Sequence, residues 1–291
     1  MTRIGSLLLL LGLASGLIWA ARQSSGPVDA SWARANDKTL RQILGLRPDA
    51  RLDFKTARRD PKEPEYYLAQ FDVVQGIRRY PLEFYVSRDG RRVVLDREYE
   101  LDDPFRTFRE QIQLDTAPAM GPADAPLTVV EYLDYTCGYC RAFFMTEEKP
   151  MLERYGDKVR LAIKQFPILS EASTHAAHAA VCAQRQSNDK FWALHELFFQ
   201  ENDKVKQGRA GILALAGQAG LNAVTLGRCM DEPETREAVS RDFEEARRLG
   251  IEATPSFFIN GRPLGGYLGP ERFFAVLDEE LQSAQSGQAS R

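Results

Sequence analysis

The chain lacks a strong excess of charge of either sign, since 38 lysines and arginines against 41 aspartates and glutamates give a formal net charge of -3. This balance gives no reason to expect nucleic acid as a partner. The composition is also unlike that of a disordered chain or a collagen-like fibre, and no internal repeat is visible. The 291 residues are enough for one large or two ordinary domains with real cores.

Cysteine and histidine are scarce, with four and three copies. Cys137 and Cys140 are close together, whereas Cys182 and Cys229 are each isolated. A four-ligand zinc site would need a second close pair of cysteines or histidines. The spacing therefore argues against zinc, and we expect neither a metal nor another cofactor.

The first residues indicate export. A short basic start precedes a Leu-rich apolar run over residues 4–21, and Ala20-Ala21 offers small residues for cleavage. We predict a signal peptide at 1–21, or an uncleaved membrane anchor, because the run is near the lower length limit of a spanning helix. No cysteine lies near this segment, which excludes a lipoprotein. The rest of the chain is expected in the periplasm or another extracytoplasmic space, soluble or tethered, where cysteines can pair.

Residues 30–115 are predicted to form a small α+β domain with an antiparallel sheet. Apolar residues at helical spacing predict a helix over 31–46. Ser87-Arg88-Asp89-Gly90 is a hairpin signal. Strands are predicted at 66–74, 80–86 and 92–95. The Pro-rich residues 116–126 are interpreted as a linker.

From Leu127 the pattern changes to β-α-β, then helices, then a β-hairpin and a last helix. Pro150 should kink the first of these helices. The Asn260-Gly261 dipeptide predicts the late hairpin turn. The predicted strands are 127–135, 158–166 and 256–259, and the predicted helices are about 138–155, several within about 171–249, and 270–283.

The motif Cys137-Gly138-Tyr139-Cys140 directly follows a predicted strand and opens a helix. A helix N-terminus stabilises a thiolate, which is the nucleophile of disulfide chemistry. Cys137 is therefore the expected attacker, and Cys140, one turn later, can close a disulfide or resolve a mixed one. A purely structural bridge is disfavoured because so small a loop contributes little chain entropy. Tyr139 is expected to tune access and substrate contact.

Glu131 interrupts the apolar run of a strand that should be central. A buried carboxylate is costly without a partner, so we expect its pKa to be raised. Lys164 in the next strand is a candidate partner. The alternative is that Glu131 lies at an exposed strand end. Asp134 falls on the opposite face by alternation and is expected to be exposed.

Cys182 and Cys229 lie in the helical stretch. In an oxidising compartment they are expected to form a structural disulfide. The alternative is two buried free thiols, which behave as small hydrophobic residues. The histidines at 175, 178 and 195 are interpreted as surface or packing residues.

Two stretches carry a family likeness. Gly121 to Cys140 (GPADAPLTVVEYLDYTCGYC) resembles the active-site region of DsbA-like thiol:disulfide oxidoreductases. Gly250 to Gly261 (GIEATPSFFING) is similar to the cis-proline loop of that family. Gln186, Lys190-Phe191-Trp192 and His195 resemble its helical insertion. The likeness covers roughly residues 117–283 and leaves 30–115 outside it.

The resemblance implies an α/β, thioredoxin-like fold interrupted by a helical domain and preceded by the small α+β domain. It implies that Glu131 handles the proton of Cys140. It also implies a cis Thr254–Pro255 bond, whose backbone would pair with an extended substrate chain beside Cys137. A preceding domain often serves dimerisation in periplasmic isomerases, so a homodimer through residues 30–115 is expected by analogy.

The expected function is that of an exported thiol:disulfide oxidoreductase with a redox-active Cys137/Cys140 dithiol. Its partners would be unfolded or partly oxidised exported proteins and a redox partner that recycles it. Disulfide formation is the first hypothesis. Isomerase or reductase is the alternative, because Cys-Gly-Tyr-Cys with Thr-Pro is similar to what isomerases carry. A non-catalytic periplasmic chaperone and a relay for one specific partner are further alternatives.

Overall fold

The computed structural model describes residues 27–47 and 49–286, which divide into two compact units between Pro104 and Phe105. The signal peptide or anchor predicted at 1–21 lies outside the described residues. Among the helices of the described ranges, none is both long enough and apolar enough to cross a membrane.

The first unit is an antiparallel five-stranded sheet with two short helices. Its strands pair in chain order, β1-β2-β3-β4-β5. Trp32 donates its indole N–H to the carbonyl of Gly90 (2.8 Å), which fastens the first helix to the predicted hairpin turn. The elements are α1 (Ala30–Ala35), α2 (Asp37–Ile43), β1 (Arg51–Arg59), β2 (Tyr66–Gln75), β3 (Arg78–Ser87), β4 (Arg92–Val94) and β5 (Glu98–Glu100).

The three strands predicted in this unit are present, and two others were missed. β1 carries five charged side chains in nine residues and is largely exposed, so it shows no apolar alternation. β5 has only three residues. The predicted helix over 31–46 is divided at Asn36 into α1 and α2.

The second unit contains a mixed five-stranded sheet in the order β10-β9-β7-β8-β6. Its helices are α3 (Arg106–Gln111), α4 (Gly138–Phe143), α5 (Lys149–Tyr155), α6 (Glu171–Gln186), α7 (Asn188–Gln200), α8 (Asn202–Val205), α9 (Arg209–Ala216), α10 (Ala223–Met230), α11 (Pro233–Arg248) and α12 (Pro270–Gln285). Its strands are β6 (Ala119–Met120), β7 (Leu127–Leu133), β8 (Val159–Gln165), β9 (Ser256–Ile259) and β10 (Arg262–Gly265). The predicted order of β-α-β, helices and β-hairpin-α is confirmed.

The second unit begins at Phe105, ahead of the boundary predicted at residue 115. The reason is that α3 packs onto this unit. The ring of Phe108 lies 5.4 Å from that of Phe258, and the guanidinium of Arg109 donates to the carbonyl of Asn260 (3.1 Å).

The segment 116–126, interpreted as a linker, contains the edge strand β6. Ala119 and Met120 pair antiparallel with β8. Gly121 follows with a φ of +92°, and a Cβ there would lie 2.0 Å from the carbonyl oxygen of Val159. Only glycine therefore permits this close approach of the two backbones.

The helix predicted over 138–155 is interrupted. A π-helical turn, Phe144–Glu148, lies between α4 and α5, and Pro150 follows in the first turn of α5. The extra residue of a π turn rotates the residues after it relative to a continuous α-helix. As a result Glu147 and Glu148 are turned into the interior, where both are buried.

The central strands β7 and β8 are parallel and almost fully buried. Glu131 is opposite Ile163, and Tyr132 is opposite Lys164. Since neighbouring side chains of a strand point to opposite faces, Glu131 lies on one face of the sheet and Lys164 on the other.

Candidate active site

The turn that presents Cys137 is held by a buried carboxylate. Asp134 accepts hydrogen bonds from the backbone N–H and hydroxyl of Thr136 (2.8 and 2.9 Å) and from the N–H groups of Ile168 and Leu169 (2.9 and 3.0 Å). The expectation that Asp134 is exposed was wrong. Four donors satisfy its oxygens, so the side chain is buried without an unpaired acceptor.

Cys137 is a free thiol that occupies the N-cap position of α4. In the thiol form, its S–H donates to the carbonyl of Thr254 (3.3 Å). Hydrogen bonds to the sulfur, first from the Cys140 thiol and then from the Thr254 side chain and two backbone N–H groups, lower the pKa of Cys137 to about 5. These donors outweigh both burial and the carbonyl contact, which favour the thiol. Cys137 is therefore a thiolate at neutral pH.

Cys140 is also free, but its environment has the opposite effect. Its side chain is fully buried, and burial raises its pKa well above the ordinary value. The hydrogen bond it gives to Cys137 and the nearby Glu131 raise the pKa further. The dithiol thus pairs a stabilised thiolate with a thiol that retains its proton.

Glu131 lies in the interior and not at an exposed strand end. Only 1% of the residue is exposed, and neither carboxylate oxygen has a hydrogen-bond partner among the residues that the structure describes. Burial, followed by the charges of Glu148 and Cys137, raises the pKa of Glu131 well above its usual value. The Glu131 carboxyl therefore keeps its proton to a higher pH than an ordinary glutamate, and it does so near the dithiol.

The predicted partner of Glu131 was wrong. Lys164 extends from the opposite face of the sheet, where its ammonium contacts Asp242 (2.6 Å) and Glu245 (3.1 Å). The register places Lys164 beside Tyr132, so strand alternation separates it from Glu131.

The Thr254–Pro255 peptide bond is cis, and both residues are buried beside Cys137. The carbonyl of Thr254 accepts from the Cys137 thiol, and the carbonyl of Pro255 accepts from Gly266 (3.0 Å). The structure thus brings together Thr254 and the motif across 117 positions of the chain.

Apolar side chains are exposed around the motif. Tyr139 is 64% exposed, and its ring stacks on that of Tyr267 with centroids 6.0 Å apart. Met145 in the π-helical turn and Leu169 in the loop after β8 are also more than half exposed. Sequence reasoning singled out Tyr139 and missed Tyr267, because no local pattern marks a loop residue that meets the motif only in the fold.

His195 was interpreted as a surface or packing residue, but it has polar partners in the interior. Its Nδ1 lies 3.1 Å from the hydroxyl of Tyr135, and its Nε2 lies 3.2 Å from Glu148 Oε2. The side chains of His195 and Glu148 are 1% and 7% exposed. No sequence signal marks this pair, because Glu148 is turned inward only by the π-helical turn.

The second cysteine pair lies outside this site. A disulfide joins Cys182 on α6 to Cys229 on α10. Between 27–47 and 49–286, no group of three or more histidine, cysteine, aspartate or glutamate side chains has an arrangement that could hold a metal ion.

Comparisons with known proteins agree with this geometry. The family model described as Thioredoxin matches residues 113–279, which is more than half of the chain. The chain belongs to this thioredoxin family. The match begins just after α3 and includes Cys137, Cys140, Glu131 and Thr254–Pro255.

Two relatives and one solved structure illustrate the likeness. The chain is 31% identical over 167 residues to a Na(+)/H(+) antiporter NhaA of Herminiimonas arsenicoxydans, covering 57% of this chain and 26% of that protein. It is 27% identical over 174 residues to Disulfide bond formation protein D of Bacillus subtilis, covering 57% of this chain and 77% of that one. Alpha-DsbA1 of Wolbachia pipientis has a TM-score of 0.55 at 22% identity and covers 62% of this chain and 98% of that one.

The predicted thioredoxin-like fold with a helical insertion is confirmed, and the likeness to Disulfide bond formation protein D agrees with the resemblance stated from the sequence. The insertion is the run of helices α6 to α11 between β8 and β9. The first unit lies outside the family match. The chain spans about a quarter of the antiporter it matches and about three quarters of the Bacillus protein.

Proposed function

We propose that this thioredoxin-family chain forms disulfides in exported proteins through Cys137 and Cys140. The observation that carries the proposal is the unequal character of the two thiols. Cys137 has a pKa of about 5, whereas the pKa of Cys140 is raised by burial. An enzyme that exchanges disulfides needs one sulfur that is both a good nucleophile and a good leaving group. Its second sulfur should react only with the first one, inside the site.

The reaction begins with the oxidised Cys137–Cys140 pair. A substrate thiolate attacks Cys137 Sγ, the enzyme S–S bond breaks, and the electron pair moves to Cys140. Cys140 then takes up a proton, for which the Glu131 carboxyl is the donor. A second substrate thiolate attacks the substrate sulfur of the mixed disulfide and expels Cys137 as a thiolate. The substrate has then lost two electrons and the enzyme dithiol has gained them.

The low pKa of Cys137 favours this direction. A stabilised thiolate makes the reduced enzyme favourable, and a dithiol that is stable when reduced is an oxidant when it forms a disulfide. A substrate strand would add beside Cys137 through the backbone of Thr254, while Tyr139 and Tyr267 offer apolar contact to an unfolded chain.

Isomerase or reductase is the second candidate function. It is favoured by the Gly138-Tyr139 pair between the cysteines and by the separate unit before the thioredoxin domain. In that direction, reduced Cys137 would attack a wrong disulfide of the substrate. Both directions use the same residues, and the redox partner decides between them.

The cellular setting follows from the same proposal. We place the mature chain in the periplasm or another extracytoplasmic space, with a membrane-bound or soluble redox partner that recycles it. Residues 30–115 would serve dimerisation. Sedimentation of the full chain tests this last point, and a monomer at micromolar concentration would contradict it.

Oxidative refolding of a reduced protein that has several disulfides tests the function. Cys137→Ser should lower the rate of disulfide formation at least about a hundredfold. When Cys140→Ser is given a substrate that already contains disulfides, its Cys137 thiolate should attack one of them, expel a substrate thiolate and accumulate as a mixed disulfide. Val224→Ser, at an exposed position of α10, is the control and should match the wild type. A Cys137→Ser variant with wild-type activity would overturn the proposal and favour a non-catalytic chaperone.

The same substrate with scrambled disulfides separates the two directions. Faster reactivation of scrambled than of reduced substrate would favour isomerase. The reduction potential of the Cys137–Cys140 pair gives an independent answer, because a potential near thioredoxin's, about -270 mV, favours a reductase.

A further inference from the structure

A polar pocket of about 260 Å³ lies next to the turn that carries Cys137. Its lining comes from one residue of α4 and from the stretch 200–206, which belongs to the helical insertion. The lining residues are Arg141, Gln200, Glu201, Asn202, Asp203 and Lys206. None of these side chains takes part in the exchange reaction described above.

Two hydrogen bonds join the pocket to the nucleophile. Arg141 lies one helical turn after Cys137, and its backbone N–H donates to the Cys137 carbonyl (3.1 Å). The side-chain amide of Asn202 donates to the carbonyl of Tyr135 (2.7 Å), two positions before the nucleophile. Residues one turn apart have Cβ atoms about 5–6 Å from each other. A chain whose sulfur is joined to Cys137 can therefore reach the pocket with a residue about two to four positions away.

Two cations of this pocket have no ion-pair partner. The guanidinium of Arg141 donates through Nε to the carbonyl of Phe199 (2.8 Å), which holds the group in place. Its other N–H groups, and the ammonium of Lys206, contact no carboxylate within ion-pair distance among the residues that the structure describes. A guanidinium held in this way keeps the two-pronged donor face that fits a carboxylate.

The acidic side chains of the lining do not cancel this positive charge. Glu201 forms an ion pair with Lys204 (3.0 Å) and is thereby neutralised. Asp203 is exposed and belongs to no ion pair within the described ranges. The pocket thus has two cations without an ion-pair partner, Arg141 and Lys206, against one such acid. The excess charge favours an anionic ligand.

The pocket also contains an acceptor for which the described residues supply no donor. Asn202 is 5% exposed, and its amide nitrogen donates to the carbonyls of Tyr135 and Phe198. The amide oxygen has no hydrogen-bond partner in the part of the chain that the structure describes. Buried polar groups are nearly always paired, so this oxygen indicates a ligand that brings an N–H group. A peptide with an acidic side chain offers both the donor and the anion.

We propose that this pocket is a subsite for an acidic side chain of the substrate, about two to four residues from the cysteine that reacts with Cys137. Arg141 is then a specificity-determining residue that binds the carboxylate, and Lys206 adds a second positive charge. The proposal deepens the proposed function and rests on it, because the mixed disulfide is what brings the substrate chain to this place.

The test follows the formation of that mixed disulfide. Short peptides with one central cysteine have Glu, Gln or Lys three positions before or after it, and the cysteine is activated as a 2-thiopyridyl disulfide. The reduced full chain attacks the peptide sulfur through Cys137. The new Cys137–peptide S–S bond forms, the peptide–pyridyl S–S bond breaks, and pyridine-2-thiolate leaves. The absorbance of its protonated form gives the rate.

The wild type should react about fivefold faster with the Glu peptide than with the Gln peptide in at least one of the two placements. The Lys peptide should be the slowest, and high salt should reduce all three differences. Arg141→Gln should bring the Glu-to-Gln rate ratio close to one, and Lys206→Gln should lower it in part. Since the ratio is taken within one variant, a change in the reactivity of Cys137 itself cancels.

Arg228→Gln is the matched control, because it removes the same charge from an exposed position of α10. It should keep the wild-type ratio. The proposal is overturned if Arg141→Gln keeps that ratio too, if Arg228→Gln lowers it equally, or if the wild type does not distinguish the peptides.

The peptide assay uses the reduced chain, so it does not depend on oxidative refolding. A chain that prefers the Glu peptide but forms no disulfides in a reduced protein would contradict the proposed function and leave the subsite intact. A chain that forms disulfides without this preference would contradict the subsite alone. If Cys137 reacted with none of the peptides, both proposals would be wrong.

Discussion

The two faces of the central strands β7 and β8 both bury carboxylates, but with different partners. On one face, the Lys164 ammonium contacts Asp242 and Glu245 at 2.6 and 3.1 Å. Glu245 also accepts from the hydroxyl of Tyr132 (2.6 Å) and from the N–H of Gln113 (2.9 Å). Every charge on this face has an opposite charge or a donor beside it.

The other face has Glu131, Glu148 and the two cysteines. Glu131 has no hydrogen-bond partner within the described ranges, and its charged neighbours are themselves anionic. The side chain of Glu148 lies 3.2 Å from the imidazole of His195. Among the described residues, the difference between the faces is therefore the buried cation Lys164. A buried carboxylate with a cation stabilises the fold, whereas one without a cation is available to exchange a proton.

Removal of that cation should have the largest effect on stability. Lys164→Met would leave the buried Glu245 and the half-buried Asp242 without their ammonium partner, and should lower the free energy of unfolding by about 3–5 kcal/mol. Urea denaturation measures this change. Lys149→Met is the control. The partner of Lys149, Glu153, is exposed and 3.9 Å away, so this change should lower the free energy of unfolding by at most about 1 kcal/mol. Equal losses for the two variants would contradict the comparison.

The opposite outcome is expected on the other face. Glu131→Leu removes an unpartnered buried carboxyl from an apolar setting, so it should raise the free energy of unfolding by about 1–3 kcal/mol. The same variant should slow disulfide exchange at least tenfold, roughly the lower end of what proton transfer contributes. A loss of stability in urea would mean that Glu131 has a stabilising partner.

The pH dependence of stability should reveal the buried Glu131 carboxyl that has no hydrogen-bond partner among the described residues. The folded-state pKa of Glu131 is raised above its ordinary value of 4.5, so the unfolded chain loses this proton first. The wild type should therefore lose stability relative to Glu131→Leu as pH rises above about 4.5 and on through the folded pKa. The difference between the two unfolding free energies should narrow as pH falls toward 4.5 and stay constant below it. If the difference in unfolding free energy grew as pH fell, the expected direction of the pH dependence would be wrong.

The smallest expected effect concerns one hydrogen bond of the paired face. Tyr132→Phe removes the hydroxyl that donates to Glu245, but Lys164 and Gln113 still contact that carboxylate. The loss should be about 1 kcal/mol by thermal or urea unfolding. Tyr80→Phe, at an exposed position of β3, is the control and should be neutral. If Tyr132→Phe lowered the free energy of unfolding by more than about 3 kcal/mol, Tyr132 would contribute as much stability to this face as we expect of Lys164.

Much of this site was predictable from local patterns. The apolar run of β7 indicated that Glu131 is buried, and the two landmark stretches located Cys137 and Thr254–Pro255. Alternation within a strand also explains why Lys164 was wrongly paired. Its face depends on the register between β7 and β8, which a single strand does not reveal.

Other features depend on irregular backbone and could not be predicted in this way. Asp134 was expected to be exposed because strand alternation was extended past Leu133, where β7 ends and a turn begins. Glu148 was overlooked because a helical pattern assumes 3.6 residues per turn, and the π-helical turn departs from that period. His195 is not marked by its own helix pattern, because it meets Tyr135 and Glu148 only in the fold.

Because of the disulfide between α6 and α10, the chain is itself a substrate of disulfide formation as well as the catalyst proposed above. Its synthesis yields four thiols, two of which must be oxidised to each other although they lie 47 positions apart. Under the proposed function, an already mature copy can carry out that oxidation on a newly exported one. The rate at which new copies mature would then depend on how many mature copies are already present. In a compartment that starts with none, maturation would be autocatalytic.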